Sequence, residues 1–244
     1  MKKLLLSLLL LLANWSMAMA QVTNYSRWMA FLEDDAFVCQ LSIPGAHDAC
    51  ASSFNNSLGN SYAKTQSKTV QDMLPLGVRL FDLRPCVDGS KLHINHGIIA
   101  TSFDFDPVMQ QLCNFVKTNP TEFCIVLIRH ETEGDDNNSN FASMLQTSLS
   151  NISNYLIDFR PNLTVGEARG KILFLSRDDY GTPIRGGRIT NFPVNTSGTG
   201  GLCYGPETWK CPLWVQDKYE FDNADVKKSA ILDMLRQSSQ LAGG

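Results

Sequence analysis

Short apolar runs recur along the chain, and most end at a polar or charged residue. They are Val38–Ile43, Val78–Leu83, Cys124–Ile128, Ile172–Leu175 and Leu213–Val215, with a weaker run at Lys91–His96. Runs of this length, near-continuously apolar, predict strands of parallel type buried on both faces. Between them lie segments of helical period. Phe105, Val108, Met109, Leu112, Phe115 and Val116 fall on one face of a predicted helix that stops before Pro120. Phe141–Leu156 reads the same way, and Ala224, Val226, Ile231 and Leu235 mark a third helix. Alternation of strand and helix predicts an α/β fold built on a parallel sheet or barrel. The strand count falls short of a closed barrel, so the fold is expected to be incomplete at the C-terminal end. Residues 181–212, rich in Gly, Pro, Thr and Asn, read as a long loop over the active face.

The polar residues that close these runs sharpen the picture. His47 and Asp48, Asp82 and Arg84, Arg129 to Glu131, Arg177 and Asp217 all end or follow an apolar run. In a (β/α) barrel the carboxyl ends of the strands converge on one face, so residues distant in sequence meet there.

The first twenty residues carry a different pattern. Lys2 and Lys3 precede the apolar run Leu4–Ala13, and Ala18-Met19-Ala20 offers a small-residue cleavage site. This predicts a signal peptide over 1–20, a mature chain over 21–244 and a secreted or periplasmic protein. The whole chain of 244 residues fits one domain, and 43% hydrophobic with 18% charged residues is a globular composition. A net charge of -3 argues against a nucleic-acid partner. Seven cysteines are present. Cys39 and Cys124 lie within apolar runs and are expected to be buried free thiols. Cys203 and Cys211 flank a short segment that a disulfide could close, and no pair has the spacing of a zinc site.

Three stretches carry candidate chemistry. In Ser42-Ile43-Pro44-Gly45-Ala46-His47-Asp48 a strand ends in a turn, and a histidine and a carboxylate appear at its tip. In Gly77–Arg84, Asp82 and Arg84 are two residues apart and share a strand face, opposite Phe81 and Leu83. In Leu92-His93-Ile94-Asn95-His96-Gly97, His96 stands at a strand end, while His93, three residues earlier, is expected to point the other way and to be solvent-exposed or a supporting residue behind the site. Two histidines and an arginine suit phosphodiester cleavage. A neutral imidazole accepts a proton from an attacking hydroxyl, an imidazolium donates one to the leaving oxygen, and a guanidinium neutralises the phosphoryl oxygens.

The strings SIPGAHDA, LGVRLFDLRP, LHINHG and WVQDKY, in this order, resemble the X-type catalytic domain of bacterial phosphatidylinositol-specific phospholipase C. The resemblance runs from about Trp28 to the C-terminus and implies a distorted TIM-type barrel. It implies His47 as general base, His96 as general acid supported by Asp48, and Arg84 at the phosphate, positioned by Asp82. Arg177, Asp217 and Tyr219 match positions that grip the inositol ring; His130 stands where the family carries a lysine. It implies cleavage of phosphatidylinositol, or a glycosylated form, to diacylglycerol and inositol 1,2-cyclic phosphate at a membrane surface, by a monomer. With Arg84 in a cation's place, no metal and no other cofactor is expected. The family pairs its base histidine with a carboxylate on a late strand, and no such strand follows here. Tryptophans common on the family's rim are missing from 50–64, which offers Phe54, Leu58 and Tyr62. Two rival readings are a metal-dependent barrel phosphodiesterase of glycerophosphodiester or sphingomyelin type, and a catalytically dead lipid- or glycan-binding domain.

Overall fold

The computed structural model describes residues 25–179, 185–195, 197–205 and 210–241. The expected leader at 1–20 lies outside these residues. No helix among the described residues is long and apolar enough to cross a membrane.

Eight strands form one curled sheet. These are β1 (Gly45–Ala46), β2 (Leu80–Leu83), β6 (Cys124–Ile128), β7 (Leu156–Ile157), β8 (Ile172–Ser176), β9 (Gly187–Thr190), β10 (Ser197–Tyr204) and β11 (Lys210–Gln216). Their order is β1-β2-β6-β8-β9-β10-β11, with β7 added beside β8. Pairing is parallel from β1 to β9 and antiparallel across β9-β10-β11. A second sheet of β3 (Pro85–Asp88), β4 (Lys91–His96) and β5 (Ile99–Asp104) is wholly antiparallel. The helices are α1 (Ser57–Tyr62), α2 (Val70–Met73), α3 (Phe105–Thr118), α4 (Phe141–Asn151), α5 (Val165–Ala168) and α6 (Ala224–Leu241). The outcome is a distorted (β/α) barrel left open, with β1 and β11 at the two ends of the sheet.

The period-two alternation of the central strands explains their placement. Phe81, Leu83, Val126, Ile128, Ile172 and Phe174 pack in one apolar cluster with Val108, Leu112 and Val116 of α3 and Leu145 of α4. Leu80, Ile125, Leu127, Leu173 and Leu175 join a second cluster with Met29, Phe159, Leu163 and Ile189. The sheet is thus apolar on both faces, as the continuous runs require.

Four expectations are corrected. Val38–Ile43 is no strand: Val38–Gln40 forms a 3-10 turn. Val38 donates its backbone N–H to Leu163 O and Leu41 to Val38 O, leaving only Gly45–Ala46 to pair with β2. Cys39 is consequently exposed, whereas Cys124 is buried as expected. Residues 181–212 are not one long loop, because β9, β10 and the start of β11 build an antiparallel hairpin array there. Leu213–Val215 accordingly pairs antiparallel. Gly187 is required in this array, since an added Cβ would lie 2.5 Å from Tyr204 O.

One buried ion pair ties the N-terminal turn to the sheet. Arg79 and Glu122 are both fully buried, with Arg79 Nη2 2.8 Å from Glu122 Oε2. The guanidinium also donates to Leu74 O, Val78 O and Ser26 O, so its donors are used and burial is tolerable. Replacing Arg79 by Met strands the Glu122 carboxylate. Denaturant unfolding of the Arg79→Met protein is expected to show a loss of about 3–5 kcal/mol; a change below 1 kcal/mol would contradict this role.

Candidate active site

The parallel register aligns three strand ends. Leu83 pairs with Ile128, and Ile128 with Ser176. The next residue in each strand is an arginine, so Arg84, Arg129 and Arg177 emerge at one level. Backbone hydrogen bonds continue this ladder from Arg129 N to Leu83 O and from Arg177 N to Ile128 O. The 45–50 turn rises beside them. Asp48 takes a left-handed φ of 44°, a conformation Asp tolerates better than most residues. Its N–H donates to Asp82 Oδ2 at 3.2 Å, Ala49 N–H donates to Asp82 O, and Gln66 Nε2 holds His47 O at 2.6 Å. His96 arrives from the second sheet at the end of β4, where Gly97 turns the chain at φ 59°.

These elements bring His47, Asp48, Asp82, Arg84, His96 and Asp217 into one cluster. Asp48 Oδ2 lies 3.2 Å from His47 Nε2 and 3.3 Å from His96 Nε2, so one carboxylate oxygen faces both imidazoles. Its other oxygen is 2.7 Å from Arg84 Nε. Arg84 also faces Asp82 at 3.4 Å and Glu131 at 3.7 Å. His47 Nδ1 sits 3.3 Å from both Asp82 Oδ2 and Asp217 Oδ1. Tyr219 stacks on the His47 ring with centroids 4.8 Å apart and planes 14° from parallel. Arg177 lies over the Phe192 ring at 4.1 Å and within electrostatic reach of Asp82, Arg84, Arg129 and Asp217.

His130 is not part of this cluster. Its ring is buried face to face with Phe141 and its Nε2 meets the Asp135 carboxylate at 2.9 Å, so both its face and its polar edge are engaged elsewhere. His93 is buried rather than solvent-exposed, held by Asp104 and Thr101 O. Two further charged residues of the site stand at a strand end in the sequence but are given no role there. Glu131 neutralises Arg84 from the far side. Arg129 is exposed at the strand tip. The repeated pattern of a short apolar strand followed at once by arginine was the available signal for Arg129.

Burial and charge set the protonation states. Burial alone pulls the His47 pKa down. Hydrogen bonds to Asp217 and Asp48 and the charges of Asp48 and Asp82 outweigh it, raising the value to about 9. For Asp48, burial pushes upward but the His47 hydrogen bond and the Arg84 charge hold the carboxyl below its usual range. Asp82 is raised, chiefly by burial, with Arg84 opposing. Glu131 is raised by burial as well. Burial lowers Arg177.

His47, Asp48 and Asp82 each offer a ligand atom within 4.8 Å of the others, a spacing that could hold a cation. Arg84 already places its guanidinium against both carboxylates there. A divalent ion would have to displace or face that charge.

The residues 41–178 match the family model described as "Phosphatidylinositol-specific phospholipase C, X domain". The chain is 26% identical over 239 residues to a 1-phosphatidylinositol phosphodiesterase of Listeria monocytogenes, covering 94% of this chain and 69% of that protein. It is 24% identical over 222 residues to a protein of the same name from Staphylococcus aureus, covering 86% and 69% respectively. Among solved structures, the phosphatidylinositol-specific phospholipase C of Listeria monocytogenes superposes with a TM-score of 0.67 at 23% identity, over 89% of this chain and 76% of that one. A Staphylococcus aureus phosphatidylinositol-specific phospholipase C superposes at 0.71 and 20% identity, over 88% and 72%.

The raised His47 pKa has a thermodynamic consequence. Its folded value near 9 exceeds the unfolded value near 6.5, so its contribution to stability is full below pH 6.5 and is lost as pH rises to about 9. Melting temperatures across this window should fall more steeply for the native protein than for His47→Gln. Equal slopes would refute the His47 assignment. The match over residues 41–178, more than half of the chain, places it in the phosphatidylinositol-specific phospholipase C X-domain family.

Proposed function

We propose that this protein cleaves the phosphodiester of phosphatidylinositol, releasing diacylglycerol and inositol 1,2-cyclic phosphate, by paired histidine acid–base chemistry. The observation that carries this reading is the meeting of His47, Arg84 and His96 on the two oxygens of Asp48. The relatives named 1-phosphatidylinositol phosphodiesterase support the choice of substrate.

In this reading the inositol 2-hydroxyl gives its proton to His47 and its oxygen bonds to phosphorus. The bond from phosphorus to the glycerol oxygen breaks, and His96 donates the proton that oxygen needs. Arg84 neutralises the phosphoryl oxygens, where charge accumulates in the transition state. Glu131 and Asp82 hold the guanidinium from either side. Asp82 Oδ1 is buried without a hydrogen-bond donor among the described residues, a free acceptor for a substrate hydroxyl. Asp217 takes a different part from the sugar contact implied by resemblance: its oxygen on Nδ1 fixes the tautomer and orientation of His47. Asn195 N–H holds the other Asp217 oxygen. Tyr219 covers His47 where the sugar ring would stack, so substrate would exchange one ring for another. His130 is left out of substrate binding.

Exposed Tyr62 and Ile98, on α1 and on the turn that follows His96, offer apolar contact for a lipid surface. Phe54, by contrast, is buried. Export, as the pattern at 1–20 predicts, would let the protein meet such a lipid outside the cell.

The cation-compatible spacing of His47, Asp48 and Asp82 favours one second reading, a metal-dependent phosphodiesterase. Phosphorus NMR of phosphatidylinositol and phosphatidylcholine vesicles separates the two. A cyclic phosphate from the first lipid alone, unchanged by EDTA, supports metal-free cleavage; loss of turnover in EDTA supports the second reading, and binding without turnover supports a dead domain. The His96→Ala protein should lose on the order of 10²–10⁴ in kcat. Because His47 must be neutral to accept a proton, kcat/KM should climb with pH toward about 9. Asp217→Asn removes the carboxylate whose hydrogen bond raises that pKa most, so the rising limb should move to lower pH while kcat falls. An unmoved limb would remove Asp217 from this role.

A further inference from the structure

Three cysteines far apart in sequence meet at one place. β10 and β11 pair with Cys203 directly opposite Cys211. Opposed residues of an antiparallel pair share a sheet face with Cβ atoms about 4.5–5.5 Å apart. Both belong to the apolar cluster that includes Val38. The next residue, Cys39, stands in the Val38–Gln40 turn. Its Sγ lies 3.1 Å from Pro161 O and within hydrogen-bonding reach of the Cys211 thiol. The convergence exists because the first apolar run is a turn rather than a strand, which leaves Cys39 on the surface beside β11.

We propose that Cys39 and Cys211 are a redox modification site that closes to a disulfide, with Cys203 as a buried third thiol. Closure joins the two Sγ atoms and releases two protons and two electrons. A disulfide oxidant of the glutathione class takes up the electrons and leaves as two thiols. The exposures set the order of events. Cys39 is exposed and reachable by the oxidant, so the mixed disulfide forms there. Cys211, half-buried, then displaces the oxidant's leaving thiol. Burial pushes the Cys211 thiol up to about 11, which makes this second step slow. Cys203 is nearly sealed from solvent at 4% exposure, and burial raises its thiol further, so it is the poorest nucleophile of the three.

The bond would join the N-terminal turn to β11, closing a loop that spans most of the chain. Cys211 stands at the start of β11 and the far end of the same strand leads into Asp217 and Tyr219, so the staple would fasten the strand that carries the segment against His47. Long loops gain most from cross-linking in the chain-entropy picture.

The test is peptide mapping of the full chain after equilibration with oxidised glutathione, with remaining thiols alkylated. A linked Cys39–Cys211 peptide is expected, with Cys50, Cys86, Cys113, Cys124 and Cys203 alkylated. Reduction should lower the melting temperature by on the order of 10 °C, and that drop should vanish in Cys39→Ser, whose exposed site accepts the change. Alkylated Cys39 in the oxidised protein, or a Cys203–Cys211 peptide in its place, would overturn the proposal. Neither readout depends on catalytic activity.

Discussion

A single buried carboxylate organises the site. Asp48 faces two imidazoles with one oxygen and a guanidinium with the other. None of these groups could sit at such density alone, because each buried charge needs a partner to offset its loss of water. Asp82, Glu131 and Asp217 complete the balance around Arg84 and His47. The backbone is shaped to the same end. Asp48 adopts a left-handed conformation and hangs its own N–H on Asp82, so the two carboxylates are locked to each other as well as to their cations.

The scaffold delivers this cluster through register. Parallel pairing of β2, β6 and β8 puts three arginines at one level, and the short β1 sets His47 and Asp48 above them. His96 comes from the separate antiparallel sheet, so the two histidines stand on different supports. The gap between them is closed by Asp48 rather than by continuous packing. Tyr219 and Asp217 enter from the hairpin end of the sheet, which makes the site depend on β11 as well as on the parallel core.

Much of this was legible in the sequence. The central strands are continuous apolar runs, and two-residue spacing places Asp82 and Arg84 on the face opposite Phe81 and Leu83. The signature around His47 and His96 is local, so its residues could be named before their contacts were known. What escaped was non-local. Val38–Ile43 has the composition of a strand, but its backbone partners lie in Leu163 and in its own turn. The Gly- and Thr-rich stretch of β10 lacks apolar alternation and gains its strand character only from the neighbours it pairs with. His130 stands one residue past Arg129 at the tip of a strand, and only the packing of Phe141 and the reach of Asp135 take its ring away from the site. The role of Asp217 depends on which polar atom lies nearest, which spacing cannot supply.

The claim that Asp48 unites the two histidines through shared charge is tested most directly by nitrogen-15 NMR titration of the imidazoles. The His47 ring should hold its proton to a midpoint near 9, and Asp48→Asn should bring that midpoint down because Asp48 contributes both a hydrogen bond and a charge to it. A His47 midpoint near the ordinary 6.5, or one that Asp48→Asn leaves unmoved, would contradict the account.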